Sequence, residues 1–270
     1  MMSKLVTIDI NANGVADVRL NRADKYNALS PEMFDAITET GKTLSTNQTI
    51  RAIVLSGNGR GFCAGLDFAG FQNIIGSEKS SIISKNSSSD EIPGNPAQKI
   101  GMVWKHLPVP VIAALHGASF GGGFQLAMGP DIRIAAPDAT FSIMEIQWGL
   151  IPDCSISQTL RELVPIDVAK ELTFTGRTFD GKEALQLGIV TQISDSPLKS
   201  ALEMAEIIAA KSPNAIRYSK ELFETTWHEA PNAGLALEEK LQKKLIGSPN
   251  QIETVKANFE KRPPQYIDPE

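Results

Sequence analysis

Two runs of alternating apolar and polar residues open the chain, "LVTIDI" at 5–10 and "VADVRL" at 15–20. Asn13-Gly14 lies between them, so the pattern predicts a β-hairpin. Ser30 then precedes Pro31, a capping residue before a residue suited to the first helical position. Wound at helical period, Met33, Phe34, Ile37 and Leu44 fall on one side, and a helix is predicted from Pro31 onward. "RAIVLSG" at 51–57 is a short β-branched run ending in glycine, the signature of a buried strand. The pattern lapses over 72–95, a serine-rich stretch that also holds proline and glycine. A surface loop is expected there, with a lid over a ligand as the alternative. Regular pattern resumes with a helix near 96–107 and a strand at "VPVIAAL". A glycine-rich turn and a short helix near 122–129 come next, followed by strands at "DIRIAA" and "ATFSIM". "TFSIME" reads as a strand with Glu145 at its end. From about residue 155 the chain reads as helical, apart from one short strand at "GIVTQI". Alternating strands and helices followed by helices alone predict an α/β core with a helical C-terminal extension.

The composition narrows the function classes. At 270 residues and 42% hydrophobic, the chain can bury a substantial core without disulfides. The two cysteines, Cys63 and Cys154, lack metal-ligand spacing and read as free thiols in a reducing, cytoplasmic setting. No apolar run is long enough to span a membrane. A formal net charge of −5 argues against a nucleic-acid partner. A small anionic ligand held by local backbone N–H groups fits either sign of global charge.

Two glycine-containing bends carry the candidate chemistry. Gly61-Phe62-Cys63-Ala64-Gly65-Leu66-Asp67 follows the strand "RAIVLSG", and Gly121-Gly122-Gly123 follows "VPVIAALHGASF". Each alone is ordinary turn chemistry, but both allow close approach of backbone to a ligand. If they converge, their N–H groups make a socket for a developing oxyanion. Glu145 and Asp153 are joined by a Pro- and Gly-containing connection. Two carboxylates facing one apolar pocket have proton affinities pushed apart, which suits proton transfer. His106, His116 and His228 stand in unrelated contexts and read as structural. Cys63 reads as a small packing residue, and Ser119 lacks the setting of a nucleophile elbow.

Five segments in order resemble the crotonase, or enoyl-CoA hydratase/isomerase, superfamily. They are "LNRADKYNALS", "RAIVLSGNGRGFCAGLD", "PVIAALHGASFGGGFQLAMGPDIRIAAPDATFSIMEIQWGLIPD", "TGRTFDGKEALQLGIV" and "ANFEKRPP". The resemblance implies a spiral core of ββα turns over 1–195 and a helical trimerisation region over 196–270. It also implies assembly as a homotrimer or a dimer of trimers. The substrate would be an acyl-CoA thioester, with coenzyme A part of the substrate and no separate cofactor or metal. The oxyanion donors would be the N–H groups of Ala64 and Gly122. Lys25, Ala64, Gly65, Leu66, Asp67 and Lys261 would lie along the CoA, and Phe68 and Trp148 along the acyl chain.

One position departs from the superfamily pattern. Its hydratases use two glutamates to grip water; Gln125 replaces the first, while Glu145 matches the second. An amide can orient water but cannot take its proton. The "MEIQWGLIPD" spacing resembles that of dienoyl-CoA isomerases, which usually also carry an acid where Gln125 stands. The expected activity is therefore a double-bond shift with Glu145 and Asp153 as acid and base. The alternatives are hydration with Gln125 holding the water, and a non-catalytic acyl-CoA-binding scaffold.

Overall fold

A computed structural model describes residues 5–67 and 92–269; Phe68 and most of the 72–95 segment lie outside the described residues. Strands β1 (Val6–Ile10) and β2 (Val15–Leu20) form the expected hairpin, with Ile10 opposite Ala16. The Asn11 side chain closes its turn by accepting from the backbone N–H groups of Asn13 and Val15. Helix α1 (Pro31–Ser45) begins where expected, the Ser30 hydroxyl accepting the Met33 N–H. Strand β3 (Ala52–Gly57) follows, then helix α2 (Pro96–Lys105). In the α2 capping box, the Asn95 and Gln98 side chains each accept the other residue's N–H. Next come β4 (Val111–Leu115), β5 (Ala118–Phe120), α3 (Gly122–Ala127), β6 (Ile132–Ala135) and β7 (Thr140–Ser142). Beyond them lie α4 (Ile156–Thr159), α5 (Ile166–Thr175), β8 (Phe179–Asp180), α6 (Gly181–Gln186) and β9 (Gln192–Ile193). Helices α7 (Pro197–Ala209), α8 (Pro213–Thr226), α9 (Pro231–Leu245) and α10 (Pro249–Glu260) follow.

The main sheet has the order β1-β2-β3-β4-β6-β9 and is parallel except at the first pair. Alternation along β3 sends Ile53 and Leu55 into a cluster with Met33 and Ile37 of α1. Ala52 and Val54 face the other way, towards Ala201 and Ala205 of α7. A strand covered on both faces reads as a continuous apolar run, which accounts for "RAIVLSG". Helix α7 begins just past the division expected at 196, yet it covers one face of this sheet. Its small alanines let it sit close.

A second, three-stranded sheet has the order β5-β7-β8. Its strands are two or three residues long, too short to leave a periodic signal. Strand β7 ends at Ser142, so Glu145 does not close a strand. It opens the 3-10 turn Glu145–Trp148, which Gly149 ends in a left-handed conformation. Among the described residues, no helix is long and apolar enough to cross a membrane.

Candidate active site

Three short chain segments lie side by side and leave the same edge together. The Cys63 N–H donates to Ala118 O and the Phe120 N–H to Cys63 O, both at 3.0 Å, tying the first bend to β5. Strand β5 runs parallel to β7 with Phe120 opposite Ser142, and the Gly121 N–H donates to Ser142 O at 3.0 Å. The bend at 61–67, the glycine turn and Glu145 therefore emerge from neighbouring strands. Glycine is required at these contacts. A Cβ on Gly123 would stand 2.2 Å from Cys63 O. One on Gly65, at φ +88°, would stand 2.6 Å from Phe120 O and 3.6 Å from Gly122 N. The two bends converge.

The available donors differ from the expected pair at one position. The Ala64 N–H is spent on Tyr26 O at 2.9 Å, so it is closed to a ligand oxygen. Tyr26 and Asn27 both adopt left-handed backbone, which turns the Tyr26 carbonyl towards the bend. Further along, the Leu29 N–H donates to Gly65 O and the Asp67 N–H to Leu29 O, a short parallel bridge. Within such a bridge, Leu66 directs its own N–H away from Leu29. Among the described residues, neither the Leu66 N–H nor the Gly122 N–H has an acceptor. The open pair is Leu66 and Gly122.

Gln125 fixes the acid. Its side chain is fully buried; its carbonyl accepts the Cys154 N–H at 2.7 Å, and its amide donates to Glu145 Oε1 at 2.5 Å. Because Cys154 N–H can only donate, the amide orientation is settled by its partners. Glu145 Oε2 is buried with no partner among the described residues. Oε1 lies 3.1 Å from where a Gly121 Cβ would stand, which puts the carboxyl beside the glycine turn. Burial raises the Glu145 pKa above the ordinary carboxyl value. The Gln125 hydrogen bond opposes this and the charge of Asp153 adds to it. Burial also raises Asp153, against a hydrogen bond from the Cys154 thiol at 3.8 Å. The Cys154 sulfur in turn lies 3.6 Å from the missing Gly122 Cβ. Glu145, Asp153, Gln125 and Gly122 thus share one locality.

Other expected residues are placed less tightly. Asp67 forms an ion pair with Arg22, whose guanidinium also donates to Ala28 O at 3.1 Å. Lys25 is exposed at the end of the 3-10 turn Ala23–Lys25, next to Tyr26. Lys261 is exposed beyond α10, and among the described residues no contact ties it to the bends. Trp148 is 54% exposed, so it is not a core aromatic. Cys63 is fully buried and its thiol is pushed up to about 12, as befits a packing residue. The histidine rings meet Met102 O, Gly59 O and Glu162 respectively. No group of three potential metal ligands occurs among the described residues.

Sequence reasoning missed Asn27. It is fully buried; its carbonyl accepts the Arg22 N–H, and its amide donates to Asn58 O, Gly61 O and Phe62 O. One side chain therefore holds the entry to the first bend, and "KYNALS" carried that signal in its lone interior asparagine.

A profile described as enoyl-CoA hydratase/isomerase matches residues 10–269. A probable enoyl-CoA hydratase of Bacillus subtilis is 34% identical over 244 residues, covering 89% of this chain and 90% of that protein. The peroxisomal Delta(3,5)-Delta(2,4)-dienoyl-CoA isomerase of Arabidopsis thaliana is 32% identical over 258 residues, covering 92% and 90%. The crystal structure of an enoyl-CoA hydratase from Bacillus anthracis superimposes with a TM-score of 0.85 at 28% identity, covering 97% of this chain and 98% of that one. The chain adopts the crotonase fold and belongs to the enoyl-CoA hydratase/isomerase family.

Proposed function

We propose that this enzyme shifts a carbon–carbon double bond in an enoyl- or dienoyl-CoA thioester. The thioester oxygen accepts from the Leu66 and Gly122 N–H groups. Glu145 Oε2 takes a proton from the acyl chain, and the C–H electron pair delocalises into an enolate whose oxygen meets those donors. Glu145 or Asp153 returns a proton at another carbon, so atoms and charge balance and no water is consumed. Preoriented N–H donors are worth about 100- to 1,000-fold in rate each. A positioned acid–base adds ~100- to 10,000-fold.

The observation that carries this reading is the Gln125 clamp. It occupies one oxygen of Glu145, leaves the other open, and is itself fully buried between Glu145 and Cys154. An amide so committed is poorly placed to hold a reacting water, which favours rearrangement. Hydration is the second reading, supported by the hydratase names of the Bacillus relatives. Products formed from a 3-enoyl-CoA and a 2-enoyl-CoA separate the two, with hydration read by mass spectrometry and conjugation by the absorbance of the thioester. The expected result is an isobaric, conjugated product from the former; faster hydration of the latter would displace the proposal.

We also propose a homotrimer or dimer of trimers. The exposed Ile151, Phe223, Trp227 and Phe259 support it as apolar surface of the kind that assembly covers. Light scattering on the purified protein tests it.

A further inference from the structure

Arg51 stands just before β3, at the opposite end of that strand from the reactive bend. At ~3.3 Å per residue the strand separates the two by roughly 20 Å. Arg217 of α8 reaches the same corner, donating to Ile50 O at 3.3 Å. Burial lowers the Arg217 pKa, and the charge of Arg51 lowers it further. Among the described residues, one carboxylate serves this pair. Asp268 binds Arg51, with side-chain exposures of 48% and 12% respectively. Arg51 Nη1 and Arg217 Nε are buried and, among the described residues, have no acceptor. Two guanidinium groups thus face one carboxylate, with two donors still unused. Buried donors left unmet are costly, and a ligand that meets them gains by it.

The Asp268 segment is strapped in place from α10. Asn250 accepts the Ile267 N–H and donates to Ile267 O, both at 3.0 Å, and the Gln265 N–H donates to Glu253. Beside the arginine corner lies a cavity of about 680 Å3, with Arg217 and Pro269 in its wall. Lys105 and Lys220 also line it but already pair with Glu224 and Asp131. Arg161 of the same wall pairs with Glu162, and Glu221 adds a carboxylate there, so among the described residues the guanidinium without an ion pair of its own is that of Arg217. Planar guanidinium forks match the oxygens of phosphate better than those of any neutral ligand.

We propose that Arg51 and Arg217 form a second ligand site, for the phosphate group of a small molecule, which Asp268 occupies in cis. A phosphate reaches the site by displacing the Asp268 side chain. It then satisfies the two unused donors as well as the one Asp268 had taken.

Calorimetric titration of the full chain with inorganic phosphate tests this, at constant ionic strength set by chloride and with acetate as a second probe. Phosphate is expected to bind weakly to the wild type and at least about tenfold more tightly to Asp268→Asn, with acetate weaker in both. Adding Arg217→Gln to that variant should lose the gain, and Arg217→Lys, which keeps the charge but not the fork, should lose part of it. Equal phosphate affinity in Asp268→Asn and wild type overturns the proposal. So does tightened binding that survives loss of Arg217, or acetate binding as tight as phosphate, which would mark a site for carboxylates. If Arg217→Gln does not fold, the Arg217→Lys result decides.

Discussion

The two sheets differ in what they do for the molecule. The six-stranded sheet is long-paired, covered on both faces and built of residues such as Ile53, Val54 and Leu55 with no exposed surface. The three-stranded sheet is made of strands of two or three residues, with glycines at its contacts and open polar groups at its edge. The first supplies buried area, and the second supplies alignment. Strands as short as β5 and β7 hold their register because they are anchored laterally, by Cys63 on one side and by Ser142 Oγ donating to Gly176 O at 2.9 Å. The proposed chemistry thus sits on the part that contributes least burial, held in place by the part that contributes most.

Mutations should therefore separate the two roles. The largest effect is expected at the acid. Glu145→Gln removes the proton carrier but keeps the shape, so kcat should fall by ~100- to 10,000-fold while CoA affinity, read by calorimetry, barely moves. Leu66→Pro deletes one proposed oxyanion donor and should cost about 100- to 1,000-fold in kcat. A small loss there would return attention to Ala64. Leu55→Ala should do the reverse, lowering stability by ~2–5 kcal/mol in denaturant titration while the folded enzyme keeps its kcat.

That contrast also explains what was legible in the sequence. The hairpin, α1 and β3 were readable because burial imposes period and caps on many residues at once. The family segments brought Glu145, Asp153 and the two bends into view. The choice between Ala64 and Leu66 was not readable. It depends on which N–H the distant 26–29 segment consumes, and no local pattern in "GFCAGLD" encodes that pairing. Gln125 was visible as a departure, but its role as a clamp needed the Cys154 N–H, 29 positions away. Glu145 was expected at a strand end because a three-residue strand and a 3-10 turn look alike in an apolar run.

Smaller effects concern protonation. Burial raises the folded-state pKa of Glu145, so its protonated form is the one the fold favours. Its contribution to stability is present in full below the ordinary carboxyl pKa and is lost as pH rises through the raised value. Glu145→Gln should consequently gain in melting temperature relative to wild type above that window and not below it. In wild type, kcat should rise with pH through a midpoint above the ordinary carboxyl range, since the base form is needed first. Asp153→Asn removes a charge that raises Glu145, so the midpoint should move down; an unmoved or raised midpoint would uncouple the two acids.

The central claim is that one oxygen of Glu145 moves a proton beside two open N–H groups without adding water. Turnover of a 3-enoyl-CoA in heavy-oxygen water reads this directly. The account predicts a conjugated product of unchanged oxygen content, formed by wild type and absent with Glu145→Gln. A product carrying heavy oxygen on its acyl chain as the main outcome, or undiminished rearrangement by Glu145→Gln, would contradict it.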